Sequence, residues 1–453
     1  MENKNSKHSL LLGLILFRLS LDFLYVFVLS NYYQKSILLS RGIFIYDFNL
    51  SKYLISILLF CGLSLFLVFK VVDHGEKASE LFLLGLFLIS YTPAISLYGL
   101  ANLNSFYLVY LHVFWIILIV SVFIFKGRKS MNIIKKSRKK LDDESRYLLW
   151  QMIIFLSCLG VFLIAFKYNG LRLKLNFDTD SIYELRISAR SYDMNKFVDY
   201  FRNNAMYIIF PFLGILVMKK KKIFLFLVVI YFQLLLYSID NQKAALFILP
   251  ASVLVYIFYR NKYFFRIPFL LIGINCLIFI EFISGKSDFL IKSLLERIYY
   301  LPSILGNGYF EFFLDSPPVI PFSSIFVKIG FVSEYAYGEG IAYILGLKFF
   351  NTSAISANTG IFGSAMSYGI LGIVLVPIFY ALLFKWFDKV TSNLETRIYI
   401  SILIIQVYVI TNVSIFVVVS SYGFILALFM LSLLNNNTKF SIEQTNFIKS
   451  QKR

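Results

Sequence analysis

The chain has 453 residues, 59% of them hydrophobic and 19% aromatic, with a mean hydropathy of +0.75. That balance excludes an ordinary soluble globular protein, in which about half of the residues are apolar. A net charge of +19 would point to nucleic acid in a soluble chain. Here the charge falls in short segments between apolar runs, where it sets membrane topology instead.

Apolar stretches of roughly 17–25 residues, long enough to cross a hydrocarbon core of about 30 Å, recur along the chain. They predict spans near 9–31, 53–72, 81–98, 105–125, 148–166, 205–218, 223–238, 244–259, 267–284, 368–387, 398–415 and 418–434. The runs are apolar on every face and lack period-two alternation, so barrel strands are excluded. The fold class is an all-α polytopic membrane protein of about twelve transmembrane helices, with residues 1–453 forming one integral membrane domain. No small-residue cleavage site follows the first span, which reads as a retained helix. That span carries Arg18 and Asp22 four residues apart. A neutralised structural pair facing the bundle is the reading, with a catalytic role as the alternative. The last two spans also fit one re-entrant hairpin.

With the N-terminus inside, the cytoplasmic segments are 1–8, 70–80, 126–147, 219–222, 259–266, 385–397 and 435–453. They hold 27 of the 44 Lys and Arg and 10 of the 25 Asp and Glu, which is +17 of the total +19. This asymmetry predicts both termini in the cytoplasm. The run from Lys126 to Arg146 is the strongest anchor, and it suits a lipid surface better than nucleic acid. Cys61, Cys158 and Cys276 all fall within spans, so no disulfide framework or Cys/His metal spacing is present. No phosphate-binding glycine loop, dinucleotide fingerprint or HExxH pair occurs, and no cofactor is called for.

Two interruptions on the outer side are large. Segment 168–204 nearly balances its charge, with Arg172, Lys174, Arg186, Arg190, Lys196 and Arg202 against Asp178, Asp180, Glu184, Asp193 and Asp199. Residues 181–201 have helical character, which puts Arg186 and Arg190 on one face. Two like charges so placed make sense around an anion, since guanidinium forks match phosphate oxygens bidentately. A solvated helix with mixed ion pairs fits the same spacing.

Segment 286–367 is too long for a connector without a task. It opens on FLIKSLLERIYYLPSILG, where Leu290, Leu294, Ile298 and Leu301 form a helical stripe and Pro302 ends or kinks the helix. An amphipathic helix along the outer interface is expected, with Tyr299 and Tyr300 at headgroup depth. Arg297 is its one arginine. The segment ends SANTGIFGSAMSYGILG; Gly369 and Gly372 suit close helix packing, whereas Asn358 and Gly363 suit a site rim. Lys243 opens a span in SIDNQKAALF, and a cation is electrostatically odd at a helix start unless an anion binds there.

On topology the chain resembles the Wzy-type polysaccharide polymerases, the oligosaccharide repeat-unit polymerases of O-antigen and capsule pathways. The residues that carry the likeness are YELR at Tyr183–Arg186, the segment from Arg297 to Pro302, and NTGIFGSAMSYGILG at Asn358–Gly372. The resemblance implies a GT-C-like fold in a bacterial inner membrane and transfer of an undecaprenyl-diphosphate-linked glycan onto the next lipid-linked repeat unit. A flippase and a chain-length regulator are the implied protein partners. Diphosphate is a good leaving group, so the site must chiefly stabilise negative charge growing on it. Arg186, Arg190 and Arg297, with Lys243, are the expected anion ligands, and Arg172 and Arg202 stand behind them. Asn358 and Gly363 would shape the substrate rim. Glu184, Asp178, Asp180 and Glu311 are the acids from which a base for the acceptor hydroxyl would come. Glu184 is placed with the catalytic arginines.

Two other readings stand beside this one. An O-antigen ligase would carry a histidine in its large outer loop, whereas His8, His74 and His112 all lie elsewhere. A lipid-linked-oligosaccharide flippase would have short outer loops and several cations inside the bundle, where only Arg18 is found.

Overall fold

Backbone N–H and C=O groups in lipid find no water, so an apolar run this long must satisfy them internally as a helix. The computed structural model describes residues 2–35, 44–73, 75–127, 143–173, 195–320, 337, 341–350 and 359–435. All regular structure among them is helical. Eight helices are long and apolar enough to cross a membrane: α1 (Asn5–Tyr32), α2 (Leu50–Val71), α3 (Ala78–Leu100), α4 (Ser105–Lys126), α5 (Leu148–Asn169), α6 (Phe197–Lys219), α9 (Asn261–Ser284) and α13 (Gly369–Thr391). The protein is therefore a multi-pass, all-helical membrane protein.

The remaining four expected spans fall on shorter apolar helices: α7 (Ile223–Asp240), α8 (Lys243–Phe258), α14 (Thr396–Ile410) and α16 (Phe424–Asn435). The last expected span, 418–434, is not one helix. A six-residue α15 (Ile415–Ser420) stops, and the chain turns through Gly423 at φ +75° before α16 starts. A Cβ there would sit 2.4 Å from Ile208 Cγ1, so any larger residue meets both backbone strain and a neighbouring helix.

The chain divides into two compact units. The first comprises 1–128, 261–385 and 407–415, and the second 129–260, 386–406 and 416–453. In the first, α1 packs along α9, where Phe23 and Phe279 meet edge to face at 5.0 Å and Asn275 donates to Ser20 Oγ at 2.8 Å. Helix α3 is buried on nearly every face and lies against α2 through Gly99. A Cβ on Gly99 would fall 2.4 Å from Tyr53 Cα, a backbone atom that cannot swing aside. Gly99→Ala should thus cost about 1–3 kcal/mol by overpacking, readable as a lower melting temperature in detergent. An unchanged melting point would contradict this packing. In the second unit α6 is central: Phe212 stacks on Trp150 at 5.4 Å, and Gly214 leaves room for Leu249.

Helices α3 and α6 each contain a π-helical turn, Phe87–Tyr91 and Ala205–Ile209. In both, the residue after the turn donates to a carbonyl five back, Thr92 to Phe87 and Phe210 to Ala205. A proline follows at once, Pro93 and Pro211. Proline has no N–H and its ring collides with the carbonyl four residues earlier. The wider turn absorbs both defects.

Segment 286–367 is only in part a surface loop. Its first half forms α10, π-helical over Ile291–Tyr300 and α-helical over Leu301–Asp315, with the same turn-then-proline arrangement at Pro302. Short helices α11 (Ile341–Phe350) and α12 (Gly360–Met366) follow. All seven residues of α12 are buried, as are nine of Leu301–Asp315. Phe310 and Phe362 both meet the ring of Tyr107 on α4, at 5.7 and 5.5 Å. The segment thus returns into the helical core of its unit. Glycine and proline lower its apolar run enough to hide this, yet they allow helices to approach closely.

Candidate functional site

The strongest concentration of chemistry in unit one surrounds the start of α10. Gly285, at φ +61°, ends α9, and Glu281 reaches forward over the turn. Its Oε2 accepts from the Ile291 N–H at 2.9 Å and its Oε1 accepts from Ser287 Oγ at 2.8 Å. Asp288 pairs with Lys292 at 2.5 Å and accepts from Tyr32 Oη on α1 at 2.5 Å. Burial alone would raise the Asp288 carboxyl, but the bonds from Lys292 and Tyr32 and the lysine charge outweigh it and hold the group below its ordinary value. The bond to Asp288 raises the Lys292 ammonium against the opposing effect of burial.

These shifts set a pH dependence. A carboxylate held below its unfolded value of about 3.9 contributes stability above that pH and loses it as the pH falls through the folded value. Lys292, raised, contributes below about pH 10.5 and loses its share as the pH climbs past its folded value. Both side chains are nearly half exposed, 44% and 45%, so the pair is worth under about 1 kcal/mol. Asp288→Asn should flatten the acid limb of a melting-temperature curve between pH 6 and 3. A variant curve that overlays the original would show that the pair contributes nothing there.

Beyond Lys292, α10 has two distinct faces. Ile291, Leu295, Tyr299 and Tyr300 are buried, while Arg297 points out. Tyr300 Oη donates to the Leu21 carbonyl at 2.8 Å, and Tyr299 meets Phe17 edge to face at 5.9 Å. These two tyrosines pack on α1 inside the protein and do not lie in lipid headgroups, as the sequence had suggested. A phenol ring that can fill a helix crevice and still satisfy its hydroxyl is better placed there. Arg297 is exposed and makes no ion pair among the described residues, on a helix whose other face is fixed.

Beneath α10 lies the Arg18–Asp22 pair. Arg18 is 2% exposed; its two terminal nitrogens donate to the carbonyl and hydroxyl of Ser56, at 2.8 and 2.5 Å. Its Nε lies 3.5 Å from Asp22, and the guanidinium stands 5.1 Å over the Phe60 ring. Asp22 also accepts from Tyr53 Oη at 2.8 Å and from Ser96 Oγ. Both charges are thus neutralised and bonded from three helices, which is a structural arrangement. An open cleft of about 230 Å³, bordered by Leu19, Phe23, Phe27, Tyr46 and Phe48, reaches Asp22 and Tyr53. Ser56, Ser96 and Tyr53 could not be paired with Asp22 or Arg18 from sequence, because each contact joins separate spans. Their polar placement inside apolar runs was the available signal.

Gly363 lies on α12, where a Cβ would sit 3.0 Å from Gly306 Cα on α10. Gly360, at φ +63°, would meet the Pro302 carbonyl at 2.9 Å. Gly363 is therefore placed in a tight helix crossing. On α10 Asn307 donates to Glu311 at 2.9 Å. Arg297 and Glu311 are fourteen residues apart on one helix, roughly 20 Å at 1.5 Å per residue. They cannot act on the same bond, and Glu311 is set aside as a base partner of Arg297.

The remaining expected residues divide between unit two and segments outside the described residues. Arg172 is exposed just beyond α5. Arg202 is 8% exposed and bonded to Asp199 at 2.7 Å, within the first turns of α6. Lys243 is the first residue of α8. Arg186, Arg190, Glu184, Asp178, Asp180 and Asn358 lie outside the described residues. The chain matches no protein-family profile, no curated protein and no solved structure.

Proposed function

We propose that this protein is a GT-C-like membrane glycosyltransferase that polymerises undecaprenyl-diphosphate-linked oligosaccharide repeat units into O-antigen or capsular polysaccharide. It would act on the outer face of a bacterial inner membrane, with both termini in the cytoplasm. The observation that carries the reading is Arg297: an exposed guanidinium without a counter-ion, on a helix anchored by Glu281, Asp288 and Tyr300. A cation held so rigidly is preorganised for the charge that grows on a departing lipid diphosphate. The YELR and NTGIFGSAMSYGILG segments add the likeness to Wzy-type polymerases, and Arg186 and Arg190 supply further forks for phosphate oxygens.

A transporter reading loses its main residue. The cation inside the bundle, Arg18, is sealed and committed to Ser56 and Asp22. Deleting the gene should leave lipid carriers bearing one repeat unit and no long polysaccharide. Accumulation of completed polymer on lipid would indicate a ligase, and an undisturbed polymer ladder would end the proposal.

A further inference from the structure

Unit two carries a built cationic cluster at the ends of four of its helices. Helix α6 closes through the turn Lys219–Lys222, where Lys221 takes φ +54° and Lys222 N–H returns to the Val217 carbonyl. Lys219 Nζ reaches Glu395 Oε2 at 3.4 Å in the turn before α14. Arg397 Nε holds the other oxygen of that carboxylate at 2.8 Å. The Arg397 guanidinium also stands 6.0 Å from the Tyr256 ring near the end of α8. Arg260, just beyond α8, folds back to donate to the carbonyls of Ile257 and Tyr259, at 2.9 and 2.8 Å.

Glu395 thus brackets two cations and draws three chain segments together. Four others flank them: Lys220, Lys221, Lys222 and Arg260 are all exposed. Even counting Asp388, close by in sequence, cations stay in excess. Bare apolar side chains adjoin them, with Phe224 74%, Phe258 68% and Ile223 66% exposed. Cations beside exposed aromatic and aliphatic groups at helix ends match a lipid, whose phosphate and chains meet at that level.

We infer that this cluster binds the phosphodiester headgroup of an anionic membrane lipid, with its acyl chains against Phe224 and Phe258. The charge pattern assigns this face to the cytoplasmic leaflet, where anionic lipids are drawn to basic segments. The Glu395 bracket distinguishes a site from a diffuse basic surface, because it fixes Lys219 and Arg397 in register. The site is independent of the polymerase reading.

The test uses the full chain in nanodiscs of phosphatidylcholine alone or with phosphatidylglycerol, followed by native mass spectrometry and thermal melting. Wild type should retain phosphatidylglycerol and melt higher in its presence. The Lys220→Gln/Lys222→Gln/Arg260→Gln variant should bind it about ten-fold more weakly or less. Its melting in phosphatidylcholine alone reports whether it folds. Arg260→Gln by itself, altering one exposed residue, should give a smaller loss in the same direction. Lys262→Gln/Arg266→Gln in unit one should retain the lipid as wild type does. Equal loss in that control would reduce the effect to general basic charge and overturn the inference. So would equal behaviour of wild type in both lipid mixtures, or an equal shift from inorganic phosphate alone.

Discussion

Asp22→Ala is expected to destabilise the protein by about 3–5 kcal/mol, the cost of leaving a buried charge without its partner. Arg18 would remain sealed at 2% exposure among apolar helices, with Ser56 as its one remaining anchor. Tyr53 and Ser96 would lose their acceptor in the same step. Melting in detergent micelles and the yield of folded protein in membranes both read this loss. The double change Arg18→Leu/Asp22→Leu removes both charges, and it should recover much of what the single variant loses. An additive double variant would mean that the two residues do not act as a pair. A stable Asp22→Ala protein would return the pair to the catalytic alternative.

Arg297→Ala is expected to lower the rate of polymer formation by about 10²–10³-fold while leaving the amount of protein in the membrane unchanged. The residue is exposed, and its removal opens no cavity. Arg297→Lys should recover little, because a single ammonium cannot engage two phosphate oxygens in a planar fork. The chain-length ladder in a strain carrying each variant checks this, with protein level measured in the same membranes. A full ladder from Arg297→Ala would remove Arg297 from the chemistry. Arg186→Ala and Arg190→Ala in the same assay would show whether the first large segment contributes.

The apolar spans were legible because length and uniform hydropathy are one-dimensional properties. Arg18 and Asp22 were legible as a pair for a similar reason, since a spacing of four fixes a shared helix face. What closes around them was not: Ser56, Ser96, Tyr53 and Tyr300 belong to other helices, and no local pattern states which polar residue meets which. Leu301–Asp315 was hidden by composition. Pro302, Gly306, Asn307, Gly308 and Glu311 break the apolar run, so the stretch read as exterior. The break at Gly423 was missed because a lone glycine in an apolar run usually signals packing. Arg297 was chosen as the single arginine beside a proline kink. Its outward direction follows from the buried tyrosines behind it, which only tertiary structure reveals.

The turns that precede Pro93, Pro211 and Pro302 also bear on rotational phase. Each widened turn holds one residue more than an α-helix needs over the same length, and the proline keeps it from shifting onward. Deleting one residue within Phe87–Tyr91 would convert the turn to ordinary register and rotate everything after it by about 100°. Ser96 would leave Asp22, and Gly99 would leave the backbone of Tyr53. The three prolines thus act as phase locks, and single-residue deletions in these helices should be far more harmful than substitutions at the same positions.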